Sequence, residues 1–261
     1  MATPVANTHP LTGDARIDGL VQGSSWQFGA GPRVLTYQLT INDSSIGGSW
    51  DQYPALVTAM GQAFAEWSKV ANIGFQSLGT GGVFYSATAD MAVTLTGNEL
   101  SDGLGAASLG IFPDPNFADI LRQAATAEGY SYPRPEGDLF FDNYLAVFSY
   151  QNAGGLGFTY FLHEIGHAIG LKHPSDDGAN ARPTFEQLGI AALDNAANTL
   201  MSYNAISSAD FAAGNVATPM PLDILAIQYL YGANMSANSG DTVYALADDS
   251  ITRTIWDAGG I

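Results

Sequence analysis

Apolar residues recur at three- and four-residue steps between positions 51 and 71, at Leu56, Met60, Phe64, Trp67 and Val70. That spacing predicts an amphipathic helix whose stripe faces a core, with Asp51 as its N-cap. Residues 154–170 are helical in pattern. So are residues 221–231, with Pro221 at the start and Gly232 at the C-terminal cap. Residues 33–41 alternate and are rich in β-formers, between Gly31-Pro32 and Asn42-Asp43. Shorter β patterns occupy 82–85, 91–96, 106–112 and 138–142. The third of these stops at Pro113-Asp114-Pro115, which suits the end of an edge strand. Strands come first and helices are interspersed, so the fold class is mixed α and β. After Asn234 the chain turns to small polar residues, and a boundary is expected there, giving units 1–234 and 235–261.

Composition narrows the partners. Eight basic against 25 acidic residues give a net charge of −17. That balance argues against nucleic acid, whose phosphates need Lys and Arg, and against a polybasic membrane-surface binder. Hydrophobic residues make up 46% and charged ones 13%, which a folded core can use and a disordered chain would not contain. There is no cysteine, so any metal must be held by His, Asp, Glu or backbone oxygens. No stretch approaches the roughly 18 continuous apolar residues of a membrane helix. The opening residues have neither a basic nor an apolar leader region, so no cleavable signal peptide is expected.

Three of the four histidines fall within eleven residues, in His163-Glu164-Ile165-Gly166-His167-Ala168-Ile169-Gly170-Leu171-Lys172-His173. His163 and His167, four apart, leave one face of a helix and can share a Zn²⁺. Glu164 can reach a metal-held water without being a ligand. Gly170 can take a left-handed conformation, end the helix and bring His173 back to the same ion. Three protein ligands and one open position suit a catalytic zinc, against the alternative of a closed structural one. The fourth histidine, His9, lies in a polar N-terminal stretch and is expected to be exposed and without a role.

These residues, followed by Pro174, resemble the extended zinc motif of the metzincin metalloproteases. Residues 199–203, Thr-Leu-Met-Ser-Tyr, resemble the metzincin Met-turn. Residues 221–234 with that turn, Ile17-Asp18-Gly19-Leu20 to Trp26, Thr36-Tyr37 and residues 137–141 resemble the serralysin family. Residues 175–197 match that family only loosely. The resemblance implies a twisted mixed β-sheet, a long active-site helix and a mostly helical C-terminal subdomain. It also implies that His163, His167 and His173 bind zinc and that Glu164 is the general base. Met201 would form an apolar floor, and Tyr203 a further, displaceable zinc ligand able to stabilise an oxyanion. An extended peptide would pair with the edge strand Ala106, Ala107, Ser108, Leu109, Gly110, Ile111 and Phe112.

By the same resemblance, residues 235–261 look like the entry to a calcium-binding β-roll, cut short at Ile261 without its nonapeptide repeats. Asn238, Gly240, Thr242, Asp257 and Gly259 could offer oxygens to Ca²⁺; the alternative is that Asp241 and Asp257 are solvated turn residues. The expected function is a zinc endopeptidase acting on protein or peptide substrates, monomeric, open to a protein inhibitor, and secreted by a bacterial type I-like route. A catalytically silent zinc-binding or adhesive module is the alternative, and Glu164 speaks against it. An astacin-like enzyme fits less well, because astacins usually carry disulfides.

Overall fold

A computed structural model describes residues 2–41, 48–86, 88–97, 99–104, 106–143, 151–176, 179–204, 216–245 and 250–260 of the chain. In chain order the elements are β1 (Thr3–Val5), α1 (Ala15–Asp18), β2 (Ser25–Gln27), β3 (Val34–Leu39), α2 (Pro54–Val70), β4 (Gly74–Thr80), β5 (Met91–Thr96), α3 (Glu99–Leu104), β6 (Ser108–Gly110), α4 (Pro115–Ala127), β7 (Leu139–Asp142), α5 (Leu156–Ala168) and α6 (Pro221–Tyr231). Strands β4-β3-β5-β7-β6 form one sheet in that order. The first four run parallel, and only β6, at the edge, runs antiparallel to its neighbour β7. β5, buried at every position, is the centre of the sheet.

The helical stripe works as its spacing predicts. Leu56, Met60, Phe64, Trp67 and Val70 are buried along α2. Phe64 stacks on Tyr37 of β3, with ring centroids 4.2 Å apart, and the Trp67 indole donates to the Leu162 carbonyl of α5 at 3.1 Å. Phe161 of α5 meets Phe141 of β7 edge-on at 5.0 Å. Both helices therefore cover one face of the sheet. Beyond α5 the described residues add α6 and short 3₁₀ turns but no strand to this sheet.

Several boundaries differ from the sequence reading. The long helix starts at Pro54, and Asp51 belongs to a separate 3₁₀ turn, Trp50–Gln52, so it is not the N-cap. Proline is well placed at a first helical position, where its missing N–H costs nothing. The expected strand at 82–85 is absent: Gly82 takes φ +66° and Phe84–Ser86 is a 3₁₀ turn. Its place is taken by β4, five of whose seven residues are exposed, so no alternation marks it. Helix α4 was also hidden, because only Ala118 and Ala125 are buried along it. His9 is half-buried, bonded to Ser25 Oγ at 2.8 Å and edge-on to Tyr229. The pairing of β1 with β2 carries that segment onto the body of the protein.

The chain past Asn234 lies back on what precedes it. Trp256 donates to the Asn234 carbonyl, Val216 bridges Thr252, and Ile251 sits over Gly154.

One contact fixes β6 against α5. A Cβ on Gly110 would overlap the Glu164 carbonyl oxygen and come within 2.9 Å of His167 Cβ. Gly110→Ala should therefore push the strand off the helix and destabilise the protein by about 1–3 kcal/mol, the usual cost of overpacking. The urea midpoint checks this, and an unchanged value would contradict the contact.

Candidate metal centre

Helix α5 carries His163, Glu164 and His167 on one buried face. It ends where Gly170 takes φ +110°, a conformation that strains other residues, and a Cβ there would lie 2.6 Å from the Ser24 carbonyl oxygen. The returning chain then pairs with residues 20–22: Val21 bridges Leu171, and Lys172 N–H donates to Leu20 O at 2.8 Å. That turn delivers His173 to the other two histidines.

The three Nε2 atoms stand 3.0, 3.1 and 3.2 Å apart. Nitrogens bound about 2.0–2.1 Å from a tetrahedral zinc stand about 3.3 Å apart, so the triangle is close to that of a zinc shell. The other ring nitrogens identify the tautomers. His163 Nδ1 meets the Leu200 carbonyl at 2.8 Å, His167 Nδ1 the Leu171 carbonyl at 2.8 Å, and His173 Nδ1 the Asp176 carboxylate at 2.7 Å. Each partner is an acceptor, so each Nδ1 carries the hydrogen and each Nε2 presents a lone pair. Three lone pairs aimed at one point form a donor set for a cation, and the histidine group is the one such cluster found among the described residues.

Electrostatics agree. Burial first, then the neighbouring His173, pushes His163 down to about 4, against the Leu200 hydrogen bond. Burial first, then the other two histidines, holds His167 well below its ordinary range. Both rings stay neutral at pH 7, as metal ligation requires. Glu164 is pushed the other way, up to about 7, by burial, opposed by hydrogen bonds from the Ser108 hydroxyl and the Gly110 N–H.

The 199–203 turn closes the site from below. Met201 is fully buried, and its sulfur would lie 2.8 Å from a Cβ on Gly166, one residue before His167. Asp223 of α6 fastens the turn: its carboxylate accepts from the Thr199 hydroxyl at 2.5 Å, Leu200 N–H at 2.7 Å and Met220 N–H at 2.8 Å. The carbonyl of that same Leu200 orients His163. Tyr203 is exposed, with its ring 4.4 Å from that of His173 and 5.9 Å from that of His163. Partial burial of its phenol, then the charges of Glu164 and Asp176, raise it to about 12.

Sequence reasoning did not single out Asp176, Asp223 or the two leucine carbonyls. Carbonyls carry no sequence signal, and Asp223 lies 24 positions from Thr199. Asp176 follows His173 by three residues, and that short spacing was the available cue. The stretches that carry the five candidate calcium residues, 238–242 and 257–259, lie against each other. Ala258 N–H donates to Ala237 O, the Asn238 amide donates to Trp256 O, and Gly260 lies against Gly240. The Asp257 oxygens there accept from Gly259 N–H and the Tyr244 hydroxyl, and Asp241 and Asp257 are both exposed.

Residues 30–198 match the matrixin peptidase family. The chain belongs to that family. This matrixin is also similar to a serralysin of Proteus mirabilis, 29% identical over 74% of this chain and 40% of the relative. It is 31% identical to the metallopeptidase AprA of Pseudomonas marginalis, over 85% of this chain and 46% of that protein. Serralysin G of Dickeya chrysanthemi is 41% identical over 38% of the chain and 23% of the relative. The chain thus spans less than half the length of these relatives. They bear out the serralysin resemblance, and the mixed five-stranded sheet agrees with the fold it implied.

Two outcomes follow from the histidine partners. Asp176→Ala should weaken zinc binding about 10–100-fold, the usual effect of losing a carboxylate that orients a ligating histidine. Competition with a chromophoric chelator measures it, and unchanged affinity would contradict the role. In the metal-free protein, an unfolded histidine takes a proton near pH 6.5, but His163 only near 4. Between these values the unfolded chain binds the extra proton, so stability falls as pH drops through that window. Melting curves of the chelator-treated protein should fall less steeply with acid for His163→Gln than for the wild type.

Proposed function

We propose that this chain is a zinc-dependent endopeptidase that hydrolyses peptide bonds of protein or peptide substrates, with Glu164 as general base. The observation that carries the reading is three convergent imidazole lone pairs beside a buried carboxyl poised near neutrality. The family match supports it. His163, His167 and His173 would hold the zinc, which when bound supplies a Lewis acid for a substrate carbonyl and for water.

The residues then have distinct parts. Glu164 takes a proton from the attacking water and hands it to the leaving amine. A base whose pKa lies near the working pH can do both. The Tyr203 phenol keeps its proton at neutral pH and can donate it as a hydrogen bond to the oxyanion that develops on the carbonyl. Met201 supports the histidines from below. The peptide would lie extended along the edge strand of residues 106–112. Calcium binding by Asn238, Gly240, Thr242, Asp257 and Gly259, and export from the cell, remain part of the proposal on the strength of the serralysin resemblance. A silent adhesive module has no use for a buried carboxyl at position 164.

Glu164→Gln should retain about one zinc per chain while casein hydrolysis drops by at least about 10²–10⁴, the range for a lost general acid–base group. A chelator should abolish wild-type hydrolysis, and added zinc should restore it. Near-normal turnover by the variant would sink the mechanism.

A further inference from the structure

The edge strand and the base are joined by a side chain that the proposed chemistry leaves unused. Ser108 Oγ donates to Glu164 Oε1 at 2.6 Å. The ladder of β6 with β7 runs through Ala107 O, which accepts from Asp142 N–H, and through Ile111, which bonds Asp138 O and Gly137 N–H. Main-chain groups alternate in direction along an antiparallel strand, so those of Ser108 and Gly110 point away from β7, and there the Gly110 N–H is taken by the Glu164 carboxylate. Side chains alternate too: position 110 faces α5, where there is no room for a Cβ, and Ser108 lies on the same face. Ser108 therefore presents its main chain to the side where a peptide would pair and its hydroxyl to Glu164.

We infer that Ser108 is a positioning residue for the general base. Its hydroxyl holds Oε1 while the Gly110 N–H also donates to the carboxylate, so the two strand donors set the direction in which the carboxyl faces the attacking water. The bond serves both forms of the carboxyl, since Oε1 remains an acceptor when Oε2 is protonated. With Glu164 otherwise buried, the hydroxyl, together with the Gly110 N–H, stops the carboxylate from rotating between water and leaving amine. Because the same residue belongs to the strand, a peptide seated on that edge is held in a fixed relation to the base. This rests on the reading of Glu164 as base.

The test uses the zinc-loaded chain and an internally quenched casein-derived peptide that the wild type cleaves. Ser108→Ala should lower kcat about tenfold, as befits a lost hydrogen bond to a charged group, while KM stays within about twofold. Zinc retention against a chelator and the melting temperature should match the wild type. Ser108→Thr restores the hydroxyl and should recover kcat to within about threefold. Wild-type kcat in Ser108→Ala, alongside an inactive Glu164→Gln, would overturn the role of Ser108 and leave the base reading intact. An active Glu164→Gln would overturn the base reading and the inference with it. A kcat loss that tracks lost zinc or lowered melting temperature, or that Thr does not recover, would overturn the inference by making Ser108 a packing residue only.

Discussion

Three imidazole lone pairs held about one van der Waals contact apart repel one another until a cation sits between them. The protein enforces that meeting by giving each Nδ1–H an acceptor that fixes its ring. The acceptors come from separate parts of the chain: the Leu200 carbonyl on the 199–203 turn, the Leu171 carbonyl just past Gly170, and the Asp176 carboxylate on the following loop. Each must be in place for the rings to converge, so the turn, the helix end and the loop are all parts of the candidate metal centre. Asp223 extends the chain of dependence into α6, since it holds the Leu200 main chain.

The sheet serves the same end. Its order places the antiparallel strand β6 at the edge, directly over the turn of α5 that carries Glu164. Covering that turn removes water from the carboxyl and raises its pKa, while the Ser108 hydroxyl and Gly110 N–H hold the charged form within reach. Burial alone would favour the protonated acid and full hydration the charged form, and the two donors from the strand set Glu164 between these limits.

Much of this was legible in the sequence, for identifiable reasons. The His163–His173 spacing encodes its geometry directly, because four residues make nearly one helical turn and Gly170 permits the return. The α2 stripe and the Pro221–Gly232 helix were equally plain, since periodicity and terminal signals agreed. What stayed hidden depended on partners distant in sequence. Strand β4 exists because β3 offers it a ladder, although its own residues are mostly exposed. Helix α4 announces itself by Asp114 and Pro115 yet buries too little to show a stripe. Asp51 has the residue type of a cap, but Pro54 favours the first helical position and so starts the helix three residues later. The partners of the histidines are mostly backbone atoms, on which side-chain pattern is silent.

The open edge of β6 also bears on self-association. Unpaired strand edges are templates on which a second chain can add, and proteins limit that hazard by shortening them or ending them with proline. Here the strand spans Ser108–Gly110, Pro113 follows closely, and of the two residues whose main chain turns away from β7, Gly110 already gives its N–H to Glu164. So brief a ladder gives a passing β-strand little purchase by itself. An incoming strand of any chain would need further contacts beside the edge to stay, so the scarcity of outward groups keeps pairing selective.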